Sequence, residues 1–167
     1  VTEATIARGY RPGSIGRVTA MHGEYYAREW GFSRYFESKV ATGLCDFLER
    51  YVETRDGFWT ASLDGRIEGA IAIDGTDAET DGAHLRWFIV SDVLRGTGVG
   101  GRLIKVAMDF CREQGYSRVY LETFAGLEPA RHLYEKVGFE LTREWQGTQW
   151  GTPVREQRFE CELRSEY

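Results

Sequence analysis

The sequence predicts an α/β fold: a mixed central sheet of about seven strands with helices on both faces. Three observations point there. Antiparallel hairpin signals come early, and Asp64-Gly65 is the strongest of them. A strand, a glycine-rich turn, a helix and another strand follow from His84 to Thr123, the pattern of one parallel crossover. A closing strand pair, Phe139 to Trp145 and Val154 to Leu163, ends the chain. Hairpins combined with a single crossover require both parallel and antiparallel neighbours in one sheet.

Taken in order, Thr5 to Arg8 is a short first strand. Pro12 opens a helical stretch with Ile15, Val18, His22 and Tyr25 or Tyr26 on one face, ending near Gly31. Ser33 is the expected N-cap of a second helix, whose apolar stripe is Phe36, Val40, Leu44, Phe47 and Tyr51. Phe58 to Leu63 and Ile67 to Ile73 are strands. Asp74 to Gly82 is an acidic loop whose charges are expected to form a solvated tip. His84 to Val90 is a strand that feeds the glycine turn. The next helix carries Val99, Leu103, Val106, Ala107 and Phe110 on one face and stops at Gly115. A strand over Arg118 to Thr123 follows. A short helix has Pro129 in its first turn and Leu127, Ala130, Leu133, Tyr134 and Val137 as apolar residues. The order is β-α-α-β-β-β-α-β-α-β-β.

The turn Arg95-Gly96-Thr97-Gly98-Val99-Gly100-Gly101 is the densest functional signal. Glycines between a strand and a helix N-terminus let backbone N–H groups converge on phosphate oxygens, and the helix dipole adds positive potential. A P-loop needs Lys-Ser or Lys-Thr after its last glycine, and Arg102-Leu103 stands there instead. Gly96, Gly98 and Gly101 match a dinucleotide fingerprint, with Glu122 near the ribose position, but the run lies mid-chain behind hairpins. A glycine-rich helix start without a ligand is the plain alternative.

The chain has 167 residues, which suits one domain over 1–167. Hydrophobic residues make up 42%, charged residues 28%, and the net charge is −5, a balance that argues against a general nucleic-acid surface. Cys45, Cys111 and Cys161 form no C-x-x-C pair and read as reduced thiols of a cytoplasmic protein. The histidines are His22, His84 and His132, without H-x-x-x-H spacing, so no metal is expected. No apolar run is long enough to span a bilayer, and no membrane partner is expected. Val1 at the start is compatible with a piece of a longer polypeptide.

With these elements in place, the chain resembles the GNAT superfamily of N-acetyltransferases. Arg95-x-x-Gly98-x-Gly100 is similar to the superfamily's acyl-CoA loop, Q/R-x-x-G-x-G/A. The segment Ala130-Arg131-His132-Leu133-Tyr134-Glu135-Lys136-Val137-Gly138-Phe139 is similar to its A-x-x-L-Y-E-K-x-G-F segment. The stretch from Ala20 to Phe36 further resembles acetyltransferase domains fused behind MarR-type regulators, although no winged helix is present.

The resemblance implies acetyl transfer from acetyl-CoA to a primary amine of a small molecule or peptide. An acyl-CoA-binding sensory module with little turnover is the alternative. It implies a V-shaped split between the strands at His84 and Arg118. Phe88, Ile89 and Val90 would meet the pantetheine arm, and Arg95, Gly96, Thr97, Gly98, Val99, Gly100 and Gly101 the pyrophosphate. Leu127 departs from the pattern, since many members have Asn there. Tyr134 is the implied general acid, with packing on its helix as the plain alternative. His84 and Glu122 flank the split as candidate bases. For Glu122 the alternative is a salt bridge with Arg118, and for His84 a surface histidine beside the acidic loop. Glu29 and Trp30 beside an aromatic cluster suit a cationic amine. Arg86 suits a substrate carboxylate. The oligomeric state stays open, a homodimer included.

Overall fold

The computed structural model describes residues 3–163. Its elements are β1 (Thr5–Arg8), α1 (Ser14–Trp30), α2 (Arg34–Glu49), β2 (Gly57–Leu63), β3 (Arg66–Asp74), β4 (Ala83–Val90), α3 (Val99–Glu113), β5 (Arg118–Phe124), α4 (Glu128–Lys136), β6 (Glu140–Gly147) and β7 (Val154–Glu162). They form one seven-stranded sheet in the order β1-β2-β3-β4-β5-β7-β6. Only β4 and β5 are parallel; every other neighbour is antiparallel. The predicted mixed sheet with helices on both faces is the observed fold.

The β2–β3 turn explains why Asp64-Gly65 is so strong a signal. Both residues have positive φ, 51° and 79°, which a two-residue hairpin of the I′ type requires. Strand β3 shows how the two faces are filled. Ile71 and Ile73 pack under α3 with Leu103, Ile104 and Ala107, while Ala70 and Ala72 pack on the other side with Val18 of α1 and Leu44 and Phe47 of α2. Alternation along a strand thus separates α3 and α4 from α1 and α2. A third cluster, Phe32, Phe36, Val40 and Phe124, lies where the α1–α2 corner meets the end of β5.

Ser33 is the N-cap of α2 as expected, although its side chain makes no capping bond; its carbonyl accepts the Phe36 N–H at 3.0 Å. One local expectation is corrected: the acidic loop is not a solvated tip throughout. Asp77 and Glu79 are exposed, whereas Asp74 is buried and accepts from Arg50 Nη2 at 2.6 Å. Asp81 accepts from Arg158 Nη2 at 2.8 Å. Burial alone would raise the Asp74 carboxyl, but bonds from Arg50 and Thr76 outweigh it and hold it well below the usual carboxylate range. Cys45 is exposed, Cys111 and Cys161 are buried, and all three are free.

Candidate active site

Strands β4 and β5 pair only at Ala83–Val119 and His84–Tyr120, then part. Beyond that point the β5-facing edge of β4 has no strand partner. Strand β4 also carries a bulge. Ala70 pairs with Ile89 and Ala72 with Arg86, so three steps on β4 match two on β3. Trp87 sits in it with φ 48°, a strained conformation for a bulky residue that costs about 1–3 kcal/mol. The bulge turns Arg86 and Trp87 towards the same helix: a Cβ at Gly43 of α2 would meet both side chains. The Arg86 guanidinium lies 4.1 Å from the Trp87 ring centroid.

The parted strands open a cavity of about 820 Å³. The glycine turn lines one part of it. Gly96 and Gly98 have φ of 79° and 86°, and Gly98 is the N-cap of α3. The Thr97 N–H is taken by the Leu94 carbonyl at 3.2 Å, and the first N–H to close the helix ladder is that of Arg102, on Gly98 O at 3.2 Å. The amides of Val99, Gly100 and Gly101 in between are the free donors of a helix start. A Cβ at Gly96, Gly98 or Gly101 would meet nothing within 4 Å, so these positions are open. Gly100 is different, because a Cβ there would crowd Leu133 of α4 at 3.2 Å. The Arg95 guanidinium pairs with Asp92 at 2.8 Å and lies 5.4 Å from the Tyr25 ring centroid. Val99 is buried in the core, and the Thr97 hydroxyl donates to Leu94 O at 2.5 Å, so neither side chain faces the cavity.

Tyr134 lines the cavity and also packs against Phe88, Phe139 and Phe159, at 6.0 to 6.4 Å between ring centroids. Burial raises its phenol well above the ordinary range, with the Tyr26 phenol adding to the effect and no hydrogen bond offsetting it. Tyr26 of α1 is raised in the same way, chiefly by burial. Tyr26, half-buried on α1, and Tyr134, buried on α4, thus border the same cavity. His22, one turn before Tyr26, bonds through Nδ1 to the Val18 carbonyl at 2.8 Å. That contact makes Nδ1 the donor and leaves Nε2 an acceptor.

His84 lies at the floor of the split, stacked on Tyr120 at 4.4 Å and 15°. Burial first, then Arg86, push its imidazole down to about 3, so it is neutral and weakly basic at neutral pH. It is half-buried and lines the cavity. Glu122 lines the cavity and accepts from Gln149 Nε2 at 3.0 Å. It makes no pair with Arg118, which bonds Glu162 at 2.6 Å instead.

Phe88, Ile89, Val90 and Arg86 all line the cavity, as does Leu127. Glu29 and Trp30 do not, which corrects their expected place in the acceptor pocket. Helical geometry turns Glu29 to solvent, where it pairs with Arg28 at 3.0 Å, and sends Trp30 edge-on against Phe124 at 4.9 Å. The first two helices and the last hairpin do contribute to the lining, through Tyr25, Tyr26, Phe36 and Lys39 and through Gln149 and Trp150. His22, Tyr26, Lys39 and Gln149 were not singled out as site residues from the sequence. The i, i+4 spacing of His22 and Tyr26, polar tips on an apolar face, was the available signal. No group of three or more His, Cys, Asp or Glu among the described residues could hold a metal ion. No helix among them is long and apolar enough to cross a membrane.

The fold matches solved acetyltransferase structures. An acetyltransferase of Streptococcus agalactiae superposes with a TM-score of 0.75 at 18% identity, covering 98% of this chain and 100% of the other. The structure of yncA from Salmonella typhimurium with its cofactor acetyl-CoA gives 0.76 at 13% identity, covering 99% and 97%. The family model described as Acetyltransferase (GNAT) family matches residues 18–139, and the chain belongs to that family. Rat N-acetyltransferase 8 is 32% identical over 117 residues, 68% of this chain and 53% of that protein. The uncharacterized N-acetyltransferase YjgM of Escherichia coli K12 is 34% identical over 98 residues, 58% and 59% of the two chains. The chain thus spans little more than half the length of these curated relatives.

Proposed function

We propose that this chain transfers an acetyl group from acetyl-CoA to the primary amine of a small molecule or peptide. The observation that carries the reading is the split between β4 and β5, with open helix-start amides at Gly100 and Gly101 and the phenol of Tyr134 all bordering one cavity. Family membership supports acetyl transfer. The acetyl-CoA complexes of yncA and of a GNAT acetyltransferase from Elizabethkingia anophelis support the cosubstrate.

In this reading the glycine turn takes the pyrophosphate, because several N–H groups and the α3 dipole act together where no side chain intrudes. Arg95 adds charge at the turn. The unpaired edge of β4 at Phe88, Ile89 and Val90 offers backbone groups to the pantetheine amides, much as a strand edge takes an added strand. The neutral amine attacks the thioester carbonyl; the C–N bond forms and the C–S bond breaks. Tyr134 donates its hydroxyl proton towards the departing thiolate sulfur, and burial keeps that phenol protonated beforehand. Glu122, through water, accepts the proton that the ammonium must lose. His84, which burial keeps neutral, acts instead as a hydrogen-bond acceptor at the floor of the split.

The test is calorimetry with acetyl-CoA followed by a screen of amines, amino acids and peptides for CoA release. Micromolar binding and amine-dependent release are expected. A chain that binds neither acetyl-CoA nor CoA would overturn the reading.

A further inference from the structure

A second cavity, about 970 Å³, lies along the outer face of α2. It meets the first at two residues, Lys39 and Arg86, which line both. Its charged lining consists only of cations, those two and Arg34. This is an unusual corner in a chain of net charge −5. The cations are also poorly matched by the protein's own acids. Lys39 Nζ donates to the Gln149 carbonyl at 2.6 Å and has no carboxylate partner among the described residues. Asp74 stands between two guanidinia, 2.6 Å from Arg50 and 3.5 Å from Arg86. Arg50 also pairs with Asp46 at 3.4 Å, whereas the half-buried Arg86 has only the longer contact to the Asp74 carboxylate that it shares. Burial and the neighbouring Arg50 lower the Arg86 pKa more than Asp74 restores it. The guanidinium carbon lies 4.1 Å from the Trp87 ring centroid, which restrains the fork beside the cavity, and a guanidinium matches a planar anion such as a carboxylate. Glu122 on β5 lines the first cavity too, and Gln149 bridges it to Lys39, donating from Nε2 to Glu122 at 3.0 Å while its carbonyl accepts from Lys39. The acceptor end therefore carries charges of both signs, with apolar Phe36 and Val40 also lining it.

Resting on the acetyl-transfer reading above, we propose that the acceptor is a zwitterion of the α-amino-acid type, its amine directed to Glu122 and its carboxylate read by Arg86 and Lys39. A carboxylate near Arg86 gains charge-assisted bonds that are strongest where water is partly excluded. An acceptor lacking it leaves a partly buried cation without its anion, and discrimination by a missing polar partner is the larger kind.

The test uses matched probes: free L-phenylalanine, L-leucine and L-methionine against their primary amides, with saturating acetyl-CoA. The acids should show KM values roughly tenfold or more below the amides, and 0.5 M NaCl should shrink the difference. Lys39→Gln and Arg86→Gln should collapse the acid-over-amide preference towards unity while acetyl-CoA affinity is kept. Lys39 is exposed on a helix, so its variant folds even if loss of the Asp74 pair weakens Arg86→Gln. Calorimetry with N-acetyl-L-phenylalanine and its amide reads the same preference without turnover. Binding of the acid but not the amide, lost in Lys39→Gln, supports the proposal even if acetyl-CoA fails to bind, an outcome that would sink the transferase reading alone. Normal acetyl-CoA binding with equal KM and equal affinity for acids and amides, or with no acid accepted at all, overturns it.

Discussion

Replacing Tyr134 with Phe removes one oxygen from the cavity and nothing else. The ring packs against Phe88, Phe139 and Phe159, and those contacts survive the change. The hydroxyl borders the cavity, and no hydrogen bond joins it to another described residue. The stability change should therefore stay within about 1 kcal/mol, the net worth of an ordinary hydrogen bond. The chemical step should respond very differently. Losing a positioned acid typically costs about 10²–10⁴ in rate, equivalent to about 2.7–5.4 kcal/mol of transition-state stabilisation. Acetyl-CoA affinity should be kept, because the interaction forms mainly as the thiolate leaves. The assay is CoA release under steady-state and pre-steady-state conditions, beside calorimetry and urea unfolding. Near wild-type single-turnover rates would remove Tyr134 from the mechanism. Parallel losses of stability and acetyl-CoA affinity would assign it to packing.

Gly101→Leu tests the glycine turn cleanly: the site is open and helical, so fold and stability should hold or improve by up to about 1 kcal/mol while acetyl-CoA binding falls at least tenfold in calorimetry. Gly98→Val should instead weaken both, because φ of 86° strains a β-branched residue whatever space surrounds it. Stability should fall as pH drops from 6.5 towards 4. His22 and His84 are held down to about 4 and about 3 in the fold, so the unfolded chain binds up to two more protons, a slope of up to about 2.7 kcal/mol per pH unit. Urea midpoints at pH 7, 6 and 5 measure it; a flat profile would contradict burial of both imidazoles, and His22→Asn should remove about half the slope. Asp74→Asn should cost about 2 kcal/mol in urea unfolding, a figure discounted because Arg50 is about one-third exposed.

The elements were legible because their limits are written locally. Asp64-Gly65, Gly31, Gly115 and Gly138 each sit at a positive φ where a turn or helix end demands it. Where a motif fixes both residue and direction, as at the glycine turn and Tyr134, the residues expected from the sequence border the cavity of the split. The site was not legible where direction depends on distant partners. Glu29 and Trp30 sit beside aromatic residues in sequence, yet Arg28 and Phe124 decide where they point. Asp74 looks like part of an acidic loop. Its burial depends on Arg50, 24 positions earlier, and Arg86, 12 positions later. Nothing in Leu85-Arg86-Trp87-Phe88 announces a bulge, because the extra residue is defined only against β3.

The two phenols show the limit most clearly. Tyr26 lies on α1, on one face of the sheet, and Tyr134 on α4, on the other. In a continuous sheet, residues from opposite faces are separated by the backbone layer and cannot influence one another closely. Here the Tyr26 phenol contributes to the shift of Tyr134. Both residues border one cavity because β4 and β5 stop pairing after His84 and Tyr120, leaving a gap that side chains from both layers can enter. No helix periodicity can reveal such a meeting, since it belongs to the hole in the sheet and not to either helix. On the acetyl-transfer proposal, the same gap would give an acceptor from the α1–α2 side a route to a thioester held on the α3–α4 side. The split would then let one face hold the donor and the other choose the acceptor.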